Sequence, residues 1–157
     1  MARREHLAVL KEGVEAWNTW RREHPEIGPN LRGADLVNWN LEGANLADTN
    51  LNEAKLFGAN LSKAILSNAS LTRAHLANAN VRYATATHVI LTGANLFEAR
   101  LFDADLTGAD LRSANLRRAD ITQVDLINST LRGANLIEMR QTSAIRTYKT
   151  RISNRAF

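Results

Sequence analysis

An aliphatic residue recurs at every fifth position over more than a hundred residues of this chain. The series runs from Leu31 to Leu136 without a slip, and Leu occupies 19 of its 22 places. Ala lies two positions before the series residue in 16 of the 22 repeats, and Asn or Asp lies immediately before it in 14. The repeat A-(N/D)-L-x-x therefore determines the architecture of the chain, but it contains no catalytic chemistry.

A period of five fits neither a straight helix nor a flat strand. A helix would turn each successive Leu about 140° further round, and a strand would send alternate Leu residues to opposite faces. The chain must therefore bend at every repeat. On extended backbone, Ala34 and Leu36 point inward together while Asp35 points outward. The pattern predicts a solenoid with a thin core of Leu and Ala, in which each coil is hydrogen-bonded to the next.

The residues at the expected corners agree with a solenoid. Gly or Asn, which adopt a positive φ at low cost, fills the second position after the series residue in ten repeats. These residues are Gly33, Asn38, Gly43, Gly58, Asn68, Asn78, Gly93, Gly108, Asn128 and Gly133. The Asn or Asp before each series residue is expected to bond to neighbouring backbone groups at the corner. Both prolines, Pro25 and Pro29, precede the array, where no ladder amide is lost.

The repeats resemble those of the pentapeptide repeat family over about two thirds of the chain. Examples are Ala34-Asp35-Leu36, Ala44-Asn45-Leu46, Ala94-Asn95-Leu96, Ala109-Asp110-Leu111 and Ala134-Asn135-Leu136. The resemblance implies an all-β solenoid, a right-handed quadrilateral parallel β-helix with four pentapeptides in each coil. Twenty-two repeats then make about five and a half coils, which is roughly 26 Å of height. The expected structural core includes Leu36, Leu56, Leu76, Leu96, Leu101 and Leu116.

The array divides the chain into three parts: residues 1–30, 31–138 and 139–157. In the first part, the spacing of Leu7, Leu10, Val14 and Trp17 predicts one amphipathic helix over residues 5–23, which His24-Pro25 ends. Our working interpretation is an N-terminal cap, because the first coil would otherwise expose apolar surface and unpaired strand edges. A helix that binds a partner is the alternative. The expected end-cap residues are Trp17, Trp20 and Trp39, with Met139 in the equivalent place at the other end.

The net charge of +4 belongs to the C-terminal part. Residues 1–30 hold five basic and five acidic side chains, the array holds ten and eleven, and residues 139–157 hold five and none. The tail is interpreted as a C-terminal cap, and contact with phosphate or lipid headgroups is the alternative. The chain contains no Cys, no apolar run of membrane-spanning length and no signal-peptide pattern in its first twenty residues. We therefore expect a bacterial cytoplasmic protein without a membrane role.

One column of outward positions is unusually apolar. If residues twenty apart stack, then Val37, Phe57, Ala77, Phe97, Arg117 and Ile137 lie above one another, with Phe102 on the adjoining face and Tyr83 near it. Contiguous apolar surface typically marks a contact site. Val37, Phe57, Ala77, Phe97 and Phe102 are therefore candidate protein-contact residues. Burial under the N-terminal helix or under the tail is the other interpretation.

The chain offers no recognisable chemistry for catalysis or for a cofactor. Its four His residues are scattered without ligand spacing, and the glycines are corner residues rather than a phosphate loop. The same stacking places Asp105 over Asp125, a pair that suits either a cation or corner hydrogen bonds, of which we favour the second. We expect no catalytic, cofactor or metal site and no enzymatic activity.

Two classes of function remain. The first is a structural module that presents rigid faces to an unknown protein partner or to a second copy of the chain. The second is implied by the family resemblance, since some pentapeptide repeat proteins mimic duplex DNA and bind DNA gyrase or other type II topoisomerases. A mimic needs strongly negative faces to replace phosphates, whereas the array carries a net charge of only −1. The module therefore ranks first, and nucleic-acid binding through the basic tail ranks third.

Overall fold

Two short helices precede the array. The structure, a computed structural model, describes residues 1–141; it contains α1, Arg4–Lys11, and α2, Val14–Glu23. The prediction of one continuous helix over 5–23 is wrong, because the helix is interrupted at Gly13. This glycine has a φ of 116°, which helical backbone does not allow, and its carbonyl accepts the N–H of Trp17 at 3.0 Å to start α2.

The array winds into a β-helix with a repeat of twenty residues. Nineteen parallel bridges join residues twenty apart, from Asn30 with Asn50 to Asp120 with Arg140. Each bridge is a single residue between turns, and residues 1–141 contain no longer strand. Twenty residues comprise four pentapeptides, so each coil has four sides. We name the sides after their first inward residues as the Leu31, Leu36, Leu41 and Leu46 sides.

A tight turn begins at every residue of the five-residue series. The N–H three residues further on donates to its carbonyl, as from Ala34 to Leu31 at 3.0 Å. The third residue of the turn has a φ between 56° and 73° in all 22 repeats, as a type II turn requires. Positive φ is therefore confirmed at the predicted Gly and Asn corners. Sixteen of these positions are not Gly, and they include bulky residues such as Tyr83 and His88.

The predicted role of the Asn or Asp in each repeat is confirmed. All fourteen side chains accept the backbone N–H two residues further along the chain, and Thr107 to Asp105 at 2.9 Å is typical. Some amides also bond along the solenoid axis. Asn80 donates to Asn60, and Asn60 to Asn40, each at 2.9 Å.

A single dry column of Leu and Ala fills the solenoid. The six predicted core residues, Leu36, Leu56, Leu76, Leu96, Leu101 and Leu116, are at most 2% exposed. Ala86 and Val89, which exchange the usual Leu and Ala positions, are both buried. Trp39, in the first coil, and Met139, after the last Leu of the series, are half-buried and pack against the core. The outer side chains therefore stand on a rigid support.

Candidate interaction surfaces

The second helix contacts the free edge of the first coil on the Leu46 side. In every later coil, the residue equivalent to Asn45 bonds to the preceding coil, but the first coil has none before it. Asn18 Oδ1 accepts the Asn45 N–H at 2.7 Å, and the Trp17 indole N–H donates to the Asn45 carbonyl at 2.8 Å. Arg21 donates to the carbonyl of Ala47 at 3.0 Å. These side chains replace the missing coil.

The first helix does the same on the Leu31 side. The N–H of Arg3 donates to the carbonyl of Asn30 at 2.9 Å, and His6 Nδ1 accepts the N–H of Asn30 at 2.8 Å. His6 is 2% exposed and packs against the ring of Trp20, which lies 5.2 Å away. Burial lowers the pKa of His6, and the carboxylate of Glu5, 3.9 Å away, opposes that shift. Sequence reasoning missed His6, Asn18 and Arg21, because single polar residues in a helix carry no signal of what they cap.

The helices leave half of the first coil open. On the Leu36 and Leu41 sides, the N–H groups of Asp35 and Asn40 have no partner among residues 1–141. Of the predicted end-cap residues, Trp17 is fully buried, while Trp20 is half-buried and stacks on His24 at 5.1 Å. The half-buried side chain of Trp39 lies at the corner between the two open sides.

The Leu36 side carries the apolar column. Its members stack in register, because the N–H that follows each one donates to the carbonyl of the next, as from Asn38 to Phe57 at 2.9 Å and from Gly58 to Ala77 at 3.0 Å. We call the six stacked residues the Phe column: Val37, Phe57, Ala77, Phe97, Arg117 and Ile137. Val37, Phe57 and Ile137 are 37%, 48% and 55% exposed. Ala77 and Phe97 are half-buried, and the helices do not cover Val37 or Phe57.

Phe102 belongs to a separate cluster on the Leu41 side. Its ring meets the ring of Tyr83 edge to face at 5.6 Å, and the Arg82 guanidinium lies 5.2 Å from the Phe102 centroid and 5.3 Å from that of Tyr83. Arg82 was missed as a member of this cluster. The twenty-residue stacking rule finds it, since Arg82 lies one coil below Phe102.

The two carboxylates considered as a cation site form hydrogen bonds with the backbone at corners. Asp105 and Asp125 accept the N–H groups of Thr107 at 2.9 Å and Ile127 at 3.0 Å. Among residues 1–141, no group of three or more His, Cys, Asp or Glu side chains is placed to hold a metal ion. The candidate phosphate or lipid contact falls mainly on residues 142–157, which lie outside the described residues.

Many acidic side chains of the array form ion pairs with basic side chains of a neighbouring coil. Lys55 pairs with Asp35 at 3.4 Å, Lys63 with Glu42 at 3.1 Å, and Arg32 with Glu53 at 2.8 Å. Near the other end, Arg118 pairs with both Glu98 and Glu138. Hydrogen bonds from Arg112 also lower the pKa of Asp110. Six of the eleven acidic side chains of the array thus face a cation.

Comparison with known families identifies the repeat. The family model of pentapeptide repeats matches eight copies, over residues 30–62, 54–93 and 94–133. The chain belongs to the pentapeptide repeat family. A comparison with curated proteins found no match.

Solved structures show the same fold. A pentapeptide repeat protein from the Arabidopsis thaliana thylakoid lumen is 32% identical, with a TM-score of 0.52; the match covers 60% of this chain and 62% of that one. This chain therefore matches less than two thirds of that relative. A trypsin-treated variant of QnrB1, a plasmid-mediated fluoroquinolone resistance protein, is 14% identical with a TM-score of 0.52, and the match covers 81% of this chain and 84% of that one. That second likeness shows the fold alone.

The helices are short. Neither helix of the described part of this pentapeptide repeat protein has the length and apolar character needed to cross a bilayer.

Proposed function

We propose that this chain is a non-enzymatic interaction module that binds another polypeptide through the Phe column. The observation that carries this proposal is the set of exposed apolar side chains stacked in register along one side. Val37, Phe57 and Ile137 are each more than a third exposed, and Phe57 is about half exposed. Regular backbone bonding holds the column rigid, so a partner meets a preformed surface with little ordering cost.

The test compares two double substitutions. Phe57→Ser with Phe97→Ser removes both aromatic members of the Phe column. Ile65→Ser with Ile90→Ser is the matched control, because those isoleucines are 41% and 40% exposed at outward positions of other sides. All four substituted side chains lie outside the core. We therefore expect the circular dichroism spectrum and the melting temperature of both variants to stay close to those of the parent chain.

Binding is then read by pull-down from the source organism. We expect a protein captured by the parent and by the isoleucine control to be lost with the Phe variant. Equal capture by both variants would contradict the proposal. Unfolding of the Phe variant would instead show that the column is internal packing.

We extend the proposal to the architecture that supports this surface. The chain is a right-handed quadrilateral β-helix of about five and a half coils, and α1 and α2 form a cap on its first coil. The contacts of Trp17, Asn18 and Arg21 with first-coil backbone support the cap. The module is expected to act in the cytoplasm, which cell fractionation tests.

The alternative function is a DNA mimic that binds DNA gyrase or another type II topoisomerase. QnrB1, a fluoroquinolone resistance protein, has the same fold, but at 14% identity this likeness does not extend to function. The axial ion pairs of Lys55, Lys63 and Arg118 speak against mimicry, because they neutralise carboxylates that would have to replace phosphates. We expect the purified chain neither to inhibit nor to protect gyrase in a supercoiling assay.

A further inference from the structure

The order of side chains along the Phe column is self-complementary. From the first coil to the sixth, the column reads Val37, Phe57, Ala77, Phe97, Arg117 and Ile137, with one residue from each successive coil. Ala77, the smallest side chain of the column, lies between Phe57 and Phe97, whose backbones are about 10 Å apart, and we call this shorter level the Ala77 hole. A ring of similar size presented by another surface fits that hole.

We propose that the partner of the Phe column is a second copy of this chain, packed face to face and antiparallel. This inference rests on the proposed function, because it uses the same surface. The two copies are related by a two-fold axis in the interface. The axis runs along the strand direction and passes between the levels of Ala77 and Phe97. It places the column of one copy on the column of the other in reverse order. Phe97 then enters the Ala77 hole of the second copy, and the second copy returns the same contact.

The remaining pairs of the column also match. Phe57 meets the guanidinium of Arg117 from the second copy, which is a favourable cation–π pair, and Val37 meets Ile137. The neighbouring column faces its own reverse as well. It places His75 opposite Asn95, Lys55 opposite Asn115 and Asp35 opposite Asn135, so that no like charges face each other.

Other arrangements of two copies fit less well. A two-fold axis along the solenoid and through the column sets Phe57 on Phe57 and Arg117 on Arg117, which is repulsive and leaves the Ala77 holes empty. The same axis moved half a strand puts Val37 over Asp35 and Phe57 over Lys55. An antiparallel pair centred on Ala77 sets Phe57 on Phe97 and leaves Ile137 without a counterpart.

The size of the surface sets the expected affinity. The column is about 24 Å tall and the outward side chains of one side span about 10 Å, which is less than the roughly 800 Å² per partner of a typical stable interface. We therefore expect a dissociation constant in the micromolar range or weaker. Such an interaction is measured by sedimentation velocity over a concentration series.

The decisive experiment exchanges the ring and the hole. Ala77→Phe fills the hole and Phe97→Ala removes the ring, so each is expected to weaken dimerisation by about tenfold or more. The double variant, Ala77→Phe with Phe97→Ala, recreates the pair with the roles reversed and is expected to dimerise like the parent chain. Both substituted positions point outward, and a melting curve of each of the three variants checks that it is folded.

Two outcomes would overturn the dimer. One is a parent chain that stays monomeric at the highest concentration, and the other is a double variant no better than the single variants. The Ile65→Ser, Ile90→Ser chain must dimerise like the parent. A monomeric parent whose pull-down partner is lost on removing Phe57 and Phe97 would refute the dimer while leaving the proposed function intact.

Discussion

At the scale of single residues, the corners show how the coil overrides local preference. Sixteen residues other than Gly adopt a positive φ, among them Lys63, Tyr83 and His88. Each such residue costs on the order of 1 kcal/mol relative to its preferred backbone. The strain is tolerated because each repeat buries an aliphatic residue, in most repeats a Leu worth about 2 kcal/mol, and pairs its amides with the neighbouring coils.

Gly33 and Gly28 form a matched pair for measuring this strain. Gly33 has a φ of 66°, and a Cβ added there would meet no atom within 4 Å. Gly33→Ala should therefore lower the free energy of unfolding by about 1 kcal/mol through backbone strain alone. Gly28 is outside the positive-φ region, and its Cβ would lie 3.5 Å from the Asp48 carbonyl, so Gly28→Ala should be close to neutral. Denaturant unfolding measures both, and equal effects would contradict the strain argument.

Leu101 tests the core at the same scale. It is 1% exposed in the middle of the solenoid. Leu101→Ala should cost about 2 to 5 kcal/mol, and Leu101→Lys should prevent folding because so narrow a core cannot solvate an unpaired charge. Ile90→Ala, at an outward position, should cost less than about 1 kcal/mol. A soluble Lys variant with unchanged circular dichroism and melting temperature would show that the register is wrong.

At the scale of elements, the two helices are attached to the first coil by the buried side chains of Leu10 and Trp17 and by a few hydrogen bonds. Among the side chains that bond to the first coil, His6 is the one whose ordinary pKa, 6.5, lies near neutral pH, and its Nδ1 must be unprotonated to accept the Asn30 N–H. Arg3 and Arg21 add to the effect of burial in lowering its pKa, and Glu5 opposes them. The attachment of the helices is therefore expected to depend on pH.

The sign of that dependence follows from the direction of the shift. As the pH falls below the ordinary His value of 6.5, the unfolded chain takes up the proton before the folded one. The free energy of unfolding should then decrease as the pH falls, until the pH reaches the pKa of His6 in the folded chain. Above about pH 6.5, the contribution of His6 should no longer change with pH. Melting temperatures between about pH 7 and 5 provide the measurement.

His6→Asn is the control, since an Asn side chain can accept the same N–H without titrating. Its melting temperature should change less with pH over this range than that of the parent. Identical pH profiles for the two chains would show that protonation of His6 does not control the attachment of the helices.

At the scale of the whole molecule, stability is a sum over coils joined by nearest-neighbour contacts, so the ends are its weak points. Deleting residues 1–28 should leave the β-helix folded, because the bridges from Asn30 onward do not involve the helices. It should also promote end-to-end association, since the edge groups of Asn30 and Asn45 lose their partners. Light scattering over a concentration series checks this. A truncated chain that stays monomeric with an unchanged melting temperature would show that the helices are not a cap.

Much of this molecule was readable from its repeat. The period of five determined the inward Leu and Ala and the Asn and Asp at the corners. These features depend only on residues within one repeat, or on the same offset applied again. The resemblance of the repeat to a known family supplied the expectation of four repeats per coil, which periodicity alone does not contain.

The tertiary structure decided what depends on partners distant in sequence. It broke the predicted N-terminal helix at Gly13, turned bulky corner residues to positive φ, and brought His6, Asn18 and Arg21 into hydrogen bonds with the backbone of the first coil. It also added Arg82 to the pair of rings formed by Phe102 and Tyr83. The physical reason is the same in each case: an edge amide, a corner and an aromatic contact are satisfied by whichever side chain the winding of the coil brings near, and a periodic sequence records the winding but not those individual contacts.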